Sequence, residues 1–402
     1  MVTDAWQELL TNYGDDAAYV HAEVRSFAAD PEQAQDLLRD VNKYLEVSAS
    51  TAAELRSFRA QPLALGRLLS VARCSRYGLN LILRDYRRFW GIMQSRGYRE
   101  ILERDELVIL SRSTLVLYHD SERKVTALLR FYQYHILRIM IGDLGDDLGF
   151  EATVRELSDL AESVVQGALD IASERLQARY GMPNTGFCVL GLGKLGGREL
   201  NYSSDLDFVF LYGEDGQTQG GAKQIDHQEF FRRLGKELIS ILDEPKAGGR
   251  LFRIDMRLRP EGTSGELVLS RRATADYYYT KGRAWERQAM IKARPIAGDL
   301  DLGWSLLEEL RPWVFPREQS LEQMENARVM RRRIEERADV LDVKTGAGGI
   351  RDIEFLVQSF QLAYGGIDPD LRHRSTLPVL RRLGALHLIR GGDAIALEEH
   401  YI

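Results

Sequence analysis

Apolar residues recur at three- and four-residue spacing from Ala5 to about Tyr180, as in Leu129, Tyr132, Ile136 and Ile139, then Leu157, Leu160, Val164 and Ala168. That period is one face of an α-helix, so this stretch is predicted to be helical almost throughout. Pro31 and Pro62 fall at breaks in the pattern and are assigned to turns between helices. The charges Glu156, Asp159 and Glu162 read as a solvated face.

Near Gly181 the period changes. Phe187-Cys-Val-Leu190 is a short apolar run entering a glycine-rich turn, which predicts a buried strand. Leu206 to Tyr212 predicts a second strand, and Leu251 to Leu258 a third. A fourth follows around Leu267 to Leu269, after the turn Pro260-Glu-Gly-Thr-Ser-Gly265. The polar stretch Gly213 to Gln224 reads as an exposed loop and Gln228 to Leu242 as a helix, with His227 a solvent-facing cap at its start. From Ala273 helices return, broken by the turn Gly346-Ala-Gly-Gly349. The expected fold is α+β and mainly helical. A small mixed sheet at 181–300 stands between a helical region at 1–180 and another at 301–402.

The alternation on the second strand puts Asp205 and Asp207 on one face and Leu206, Phe208 and Phe210 on the core face. Two carboxylates about 7 Å apart on one face repel, and a divalent cation between them removes the repulsion. Hard oxygen ligands suit Mg²⁺. On the third strand Phe252, Ile254, Met256 and Leu258 are apolar, while the opposite face reads Arg253, Asp255, Arg257 and Arg259. If the two strands pair, Asp255 joins the other two acids, and three carboxylates can hold two metal ions for a phosphoryl displacement. The arginines, including Arg257 and Arg259, would face phosphate charge. Before these strands, Gly193, Gly196 and Gly197 form a tight turn whose backbone can approach phosphate oxygens. Lys194, Ser203 and Ser204 would add a cation and two hydroxyls.

Gly191-Leu-Gly193-Lys-Leu-Gly196 also fits the dinucleotide-binding pattern GxGxxG. That motif needs a long helix next and an acid about 20 residues on, whereas here two acids open the following strand at Asp205 and Asp207. Nor is Gly193-Lys194 followed by the Ser or Thr of a phosphate-binding P-loop.

Composition narrows the class further. The chain has 402 residues, 44% hydrophobic and 28% charged, which describes a globular protein of more than one domain. A formal net charge of −6 gives no reason to expect a nucleic-acid partner. The two cysteines, Cys74 and Cys188, make neither a disulfide framework nor a zinc site, and fit a cytoplasmic protein. No signal peptide or membrane span is visible. Asp393 to Ile402 ends with helical spacing still running, so the chain reads as a piece of something longer.

The run Gly191 to Asp207 resembles the signature of the DNA polymerase β-like nucleotidyltransferase superfamily. A wider resemblance, over roughly residues 75 to 385, is to glutamine synthetase adenylyltransferase. It is carried by Arg155-Glu-Leu-Ser-Asp-Leu-Ala161, Gly193-Lys-Leu-Gly-Gly197, Arg257-Leu-Arg-Pro260, Lys292-Ala-Arg294, Gly348-Gly-Ile-Arg-Asp-Ile-Glu-Phe355 and Arg374-Ser-Thr-Leu377. Glu261 and Glu266 depart from the family pattern, standing where an aromatic and a proline are common. Gly282-Arg-x-Trp-Glu-Arg287 and Ala347-Gly-Gly-Ile-Arg351 look like the N-terminal, deadenylylating half.

The resemblance implies that inorganic phosphate attacks adenylyl-tyrosine on adenylylated glutamine synthetase, giving ADP and free tyrosine. Asp205, Asp207 and Asp255 would be the metal ligands and Arg351 a phosphate contact, with the signalling protein PII as a regulatory partner. The adenylylating direction, with ATP as donor, remains an alternative, as does a catalytically silent module that binds a nucleotide or PII.

Overall fold

The computed structural model describes residues 2–317 and 349–402, with side chains from Ala5 onward. Gly346, Ala347 and Gly348 lie outside the described residues. The chain divides into two compact units, one of Met1–Leu102 with Arg130–Glu156, the other of Glu103–Leu129 with Leu157–Ile402. The described fold is α+β and mainly helical.

The first unit opens with α1 (Val2–Phe27, kinked at Gly14), α2 (Pro31–Val47), α3 (Thr51–Ala60), α4 (Pro62–Cys74), α5 (Arg76–Arg84) and α6 (Tyr86–Ser95). Pro31 and Pro62 are each the first residue of a helix, where a missing N–H costs nothing. Trp6, Tyr44, Leu55, Phe58 and Phe89 form its core. Buried Glu54 is satisfied by the Tyr44 hydroxyl at 2.9 Å and the Trp90 indole N–H at 2.7 Å.

α7 (Arg104–Leu115) belongs to the second unit, whereas α8 (Ser121–Asp143) and α9 (Phe150–Tyr180) contribute residues to both. The sheet of the second unit is built from β2 (Phe187–Gly191), β3 (Leu206–Tyr212), β5 (Ile254–Asp255), β6 (Val268–Ser270) and β7 (Arg294–Gly298). β1 (Gly181–Met182) and β4 (Gln219–Gly220) pair separately, β4 being a short strand within Gly213 to Gln224, the stretch read as an exposed loop. The order is β5-β3-β2-β7, with β2 antiparallel to both β3 and β7. β5 and then β6 run parallel to β3 along its other side.

Both faces of this sheet are covered. On one, Phe231 of α11 (His227–Asp243) stacks on Phe187 and Tyr212, with ring centroids 5.5 and 5.2 Å apart. On the other, Cys188, Leu190, Val209 and Leu211 pack with Tyr278, Leu306 and Trp313 from α12 (Arg271–Lys281) and the helix Leu300–Val314. At the start of β3 and along β5 the cover is incomplete, and there Asp205 is exposed while Asp207 and Asp255 are half-buried.

Three expectations are corrected. The third strand, expected over 251–258, shortens to Ile254–Asp255, because Met256 onward turns away toward Pro260. β7 lies in a stretch read as helical. His227 is buried, not a solvent-facing cap: its Nδ1 lies 2.8 Å from the Glu214 carbonyl, and Asp226 caps the helix by accepting from the Glu229 N–H at 2.7 Å.

Candidate active site

Asp207 and Asp255 are register partners on the parallel strands β3 and β5. Partners in a parallel pair project to the same side, so the acids anticipated on neighbouring strands stand together. Asp205 comes one residue before β3 and pairs with Arg253 at 2.5 Å, while the Arg253 Nη2 donates to the Ser203 carbonyl at 3.0 Å. Asp255 receives a bidentate guanidinium from Arg257, with contacts of 2.8 and 2.5 Å to its Oδ2, and the Arg257 backbone N–H at 2.8 Å. That side-chain bond holds the Asp255 carboxyl below the usual carboxylate range, against its burial.

Both arginines are mainly exposed, at 60% for Arg253 and 77% for Arg257, so neither is locked on its carboxylate by packing. Among the described residues no three Asp, Glu, His or Cys side chains already converge as a metal cluster. The donor set is nonetheless all hard carboxylate oxygen, balanced at Asp205 and Asp255 by arginine cations that can move away. It fits Mg²⁺ better than a soft metal.

The glycine turn reaches Asp207. After β2 the chain makes a single helical turn, α10 (Gly193–Gly196), and the Leu192 N–H donates to the Asp207 carbonyl at 2.9 Å. Gly193 has φ +54°, and a Cβ there would lie 2.5 Å from the Asp207 Oδ2. Gly196 serves the scaffold: a Cβ on it would lie 2.0 Å from the Lys292 carbonyl. The Gly196 and Gly197 N–H groups donate to the Leu192 and Gly193 carbonyls, so both are used within the turn. The Ser204 hydroxyl donates to the Asn201 side chain, while Ser203 is exposed. Arg259 faces backbone: its guanidinium donates to the Met256, Thr263 and Gly265 carbonyls and closes the 256–265 turn. Glu261 within that turn takes a left-handed φ of 61° and pairs with Lys281.

Beneath the turn lies an ionic scaffold that the sequence pattern did not reveal. Glu162 is fully buried and pairs with both Arg294 and Arg104. Arg294 in turn donates to the Leu195 carbonyl at 3.1 Å and the Gly196 carbonyl at 3.2 Å. Asp159 is buried against Arg198, and burial pushes its carboxyl up to about 6 despite that partner. Glu156, in the first unit, is buried against Arg138. The solvated face expected for these three acids is therefore overturned, because each has an arginine partner brought in by the fold.

A second cluster holds the other end of the turn. The buried Lys292 ammonium lies 2.7 Å from Glu199, 3.2 Å from the Thr376 hydroxyl and 3.5 Å from Glu354. Burial pulls the Lys292 pKa down, but Glu354 and Glu199 outweigh it and keep the ammonium charged. Ser375 donates to the Gly197 carbonyl at 2.6 Å and Arg374 to the Ala293 carbonyl at 2.7 Å. The helix Ile350–Tyr364 carries half-buried Arg351 in its first turn and Glu354 one turn later. Lys194 on the glycine turn helps hold Glu354 ionised, after Lys292 and against its burial. Gly282-Arg-x-Trp-Glu-Arg287 is packing: Glu286 is buried on the Tyr277 hydroxyl, and the Arg287 guanidinium lies 5.1 Å from the Trp313 ring centroid.

Four of the segments read in the sequence, around Asp159, Lys292 to Arg294, Glu354 and Arg374 to Thr376, thus hold the turn that sets Gly193 against Asp207, whereas Arg259 and Gly282 to Arg287 stand in other contacts. No described helix is long and apolar enough to cross a membrane. Residues 319–402 match the GlnD PII-uridylyltransferase family, in part beyond the described residues. Residues 65–309, more than half of the chain, match glutamate-ammonia ligase adenylyltransferase, and the chain belongs to that family of nucleotidyltransferases acting on glutamine synthetase.

Proposed function

We propose that the chain removes AMP from adenylyl-tyrosine of glutamine synthetase by magnesium-dependent phosphorolysis. An oxygen of inorganic phosphate bonds to the adenylyl phosphorus, the bond to the tyrosine oxygen breaks, and ADP leaves. The phenolate takes a proton from solvent. The observation that carries the reading is the pairing of Asp207 with Asp255, flanked by Asp205, under a glycine turn. These carboxylates would hold Mg²⁺, up to two ions, which would supply Lewis-acid stabilisation of the phosphoryl and leaving oxygens when bound.

The chain's own residues bind and orient. Arg253 and Arg257, once displaced from their carboxylates, would meet phosphate charge, joined by Lys194, Ser203 and Arg351. Inorganic phosphate is already an anion, so no strong general base is assigned. The direction rests on the resemblance of Gly282 to Arg287, and of Arg351 after its glycine turn, to the deadenylylating half. PII as regulator and the cytoplasm as location belong to the same reading. The adenylylating direction would use the same three acids, and the family's description names that reaction.

The test is release of ADP from adenylylated glutamine synthetase, with Mg²⁺ and phosphate, by the chain and by Asp205→Asn and Asp207→Asn. The reading expects both variants to be folded and inactive. Near-normal phosphorolysis by both at saturating Mg²⁺ would remove the carboxylates from the site.

A further inference from the structure

The last turns of α9 and one face of α11 border an open surface cavity of about 440 Å³, the size of a small-ligand site. It lies outside the residues assigned to catalysis. Arg175 and Arg179 stand four residues apart on α9, and Arg233, Lys236 and Ser240 recur at three- and four-residue spacing on α11. Both helices therefore turn a cationic face toward the same space. Two of the four cations are committed. Arg175 pairs with Glu237 at 2.5 Å and Glu122 at 2.7 Å, and Arg233 pairs with Glu229 at 2.6 Å.

Arg179 and Lys236 pair with no carboxylate among the described residues. Tyr180 fixes part of the wall. The Arg179 and Arg233 guanidinium groups lie 5.1 and 5.3 Å from its ring centroid, and Arg233 also donates to its hydroxyl at 3.1 Å. Glu237 also lines the cavity but is paired with Arg175, so Arg179 and Lys236 leave the concavity with an excess of positive charge that an anion would balance. A phosphate group presents oxygens in several directions and suits a guanidinium, an ammonium and a hydroxyl that approach from two helices.

We propose that this cavity is a second, non-catalytic site for a phosphorylated small anion, with Arg179 and Lys236 as its charged contacts and Ser240 as a hydroxyl donor. The anion is either free, as pyrophosphate, or the phosphate chain of a nucleotide.

Calorimetric titration of the full chain in EDTA, with pyrophosphate and separately with ATP, tests this without metal-dependent binding at the catalytic carboxylates. The expected result is one saturable site per chain. Arg179→Glu with Lys236→Glu should weaken it at least about tenfold, as lost charge-assisted contacts require, while Asp205→Asn with Asp207→Asn leaves it unchanged. Tighter binding of ATP assigns the site to a nucleotide, and equal binding assigns it to the free anion. Arg179→Gln with Lys236→Gln should give the same loss in direction, and guards against a reversal variant that fails to fold. No binding of either probe, binding retained by the folded charge variants, or binding lost only in the aspartate variant would overturn the proposal.

Discussion

Gly193 stands directly against the carboxylate of Asp207, so that a Cβ at Gly193 would come within 2.5 Å of Oδ2, at a φ of +54°. The two residues are joined through the turn as well, because the Leu192 N–H donates to the Asp207 carbonyl. The glycine turn therefore governs where one of the three acids points.

Gly193→Ala should lose far more activity than stability. The atom it meets is the end of a side chain that can rotate away, so the backbone strain costs about 1–2 kcal/mol. Displacing the carboxylate should lower kcat by about tenfold or more, since small misplacements at a reacting centre are costly. Gly196→Ala should do the reverse, because its clash is with the Lys292 backbone at 2.0 Å. Thermal unfolding and single-turnover assays of both variants separate the two; equal effects on folding and rate would show that Gly193 is only a turn residue.

How much of this was legible in the sequence depended on whether the cause was local. β3 was read with its observed bounds because its alternation, its glycine turn and its opening acids all lie within one short stretch. β7 was missed: it is an edge strand carrying Pro295, with one neighbour and too little alternation to stand out. The burial of Asp159 and Glu162 was invisible because their arginines are distant in sequence, Arg198 by 39 residues and Arg294 by 132. Three acids at helical spacing look solvated until the partners are known. Arg259 looked like a phosphate contact for the same reason: only the fold reveals the three carbonyls it ties together.

Asp255→Asn should lower kcat by about a hundredfold or more if the third carboxylate completes the metal site. Its fold should survive, since an ion pair with an exposed arginine contributes under about 1 kcal/mol. A folded variant with unchanged turnover would reduce Asp255 to a partner of Arg257.

Lys292→Met should destabilise the second unit by about 3–5 kcal/mol, because it leaves Glu199 and Glu354 buried without their cation. Adding Glu199→Gln should recover part of that loss. A drop in Tm for the single variant with partial recovery in the double is the expected pattern, and strictly additive losses would contradict the shared network.

Asp159→Asn tests the buried acid through pH. The Asp159 pKa is raised from 3.8 to about 6 in the folded chain, so the neutral acid is the favoured form inside. The stability this gives is fully present below about 3.8 and is lost as pH rises through about 6. The wild-type chain should therefore lose about 2 kcal/mol relative to Asp159→Asn between pH 4 and 7. Unfolding curves of both proteins across that range check the sign; a difference independent of pH would mean that Asp159 titrates normally.

The central claim is the direction of transfer, and one assay addresses it. Adenylylated glutamine synthetase is incubated with the chain and Mg²⁺ while inorganic phosphate is titrated, and ADP is measured against AMP remaining on the synthetase. Phosphorolysis gives ADP equal to the adenylyl groups lost, none without phosphate, and a raised phosphate KM for Arg351→Ala with little change in ADP binding. Robust ATP-dependent adenylylation of unmodified glutamine synthetase, with no ADP released at any phosphate concentration, would contradict it.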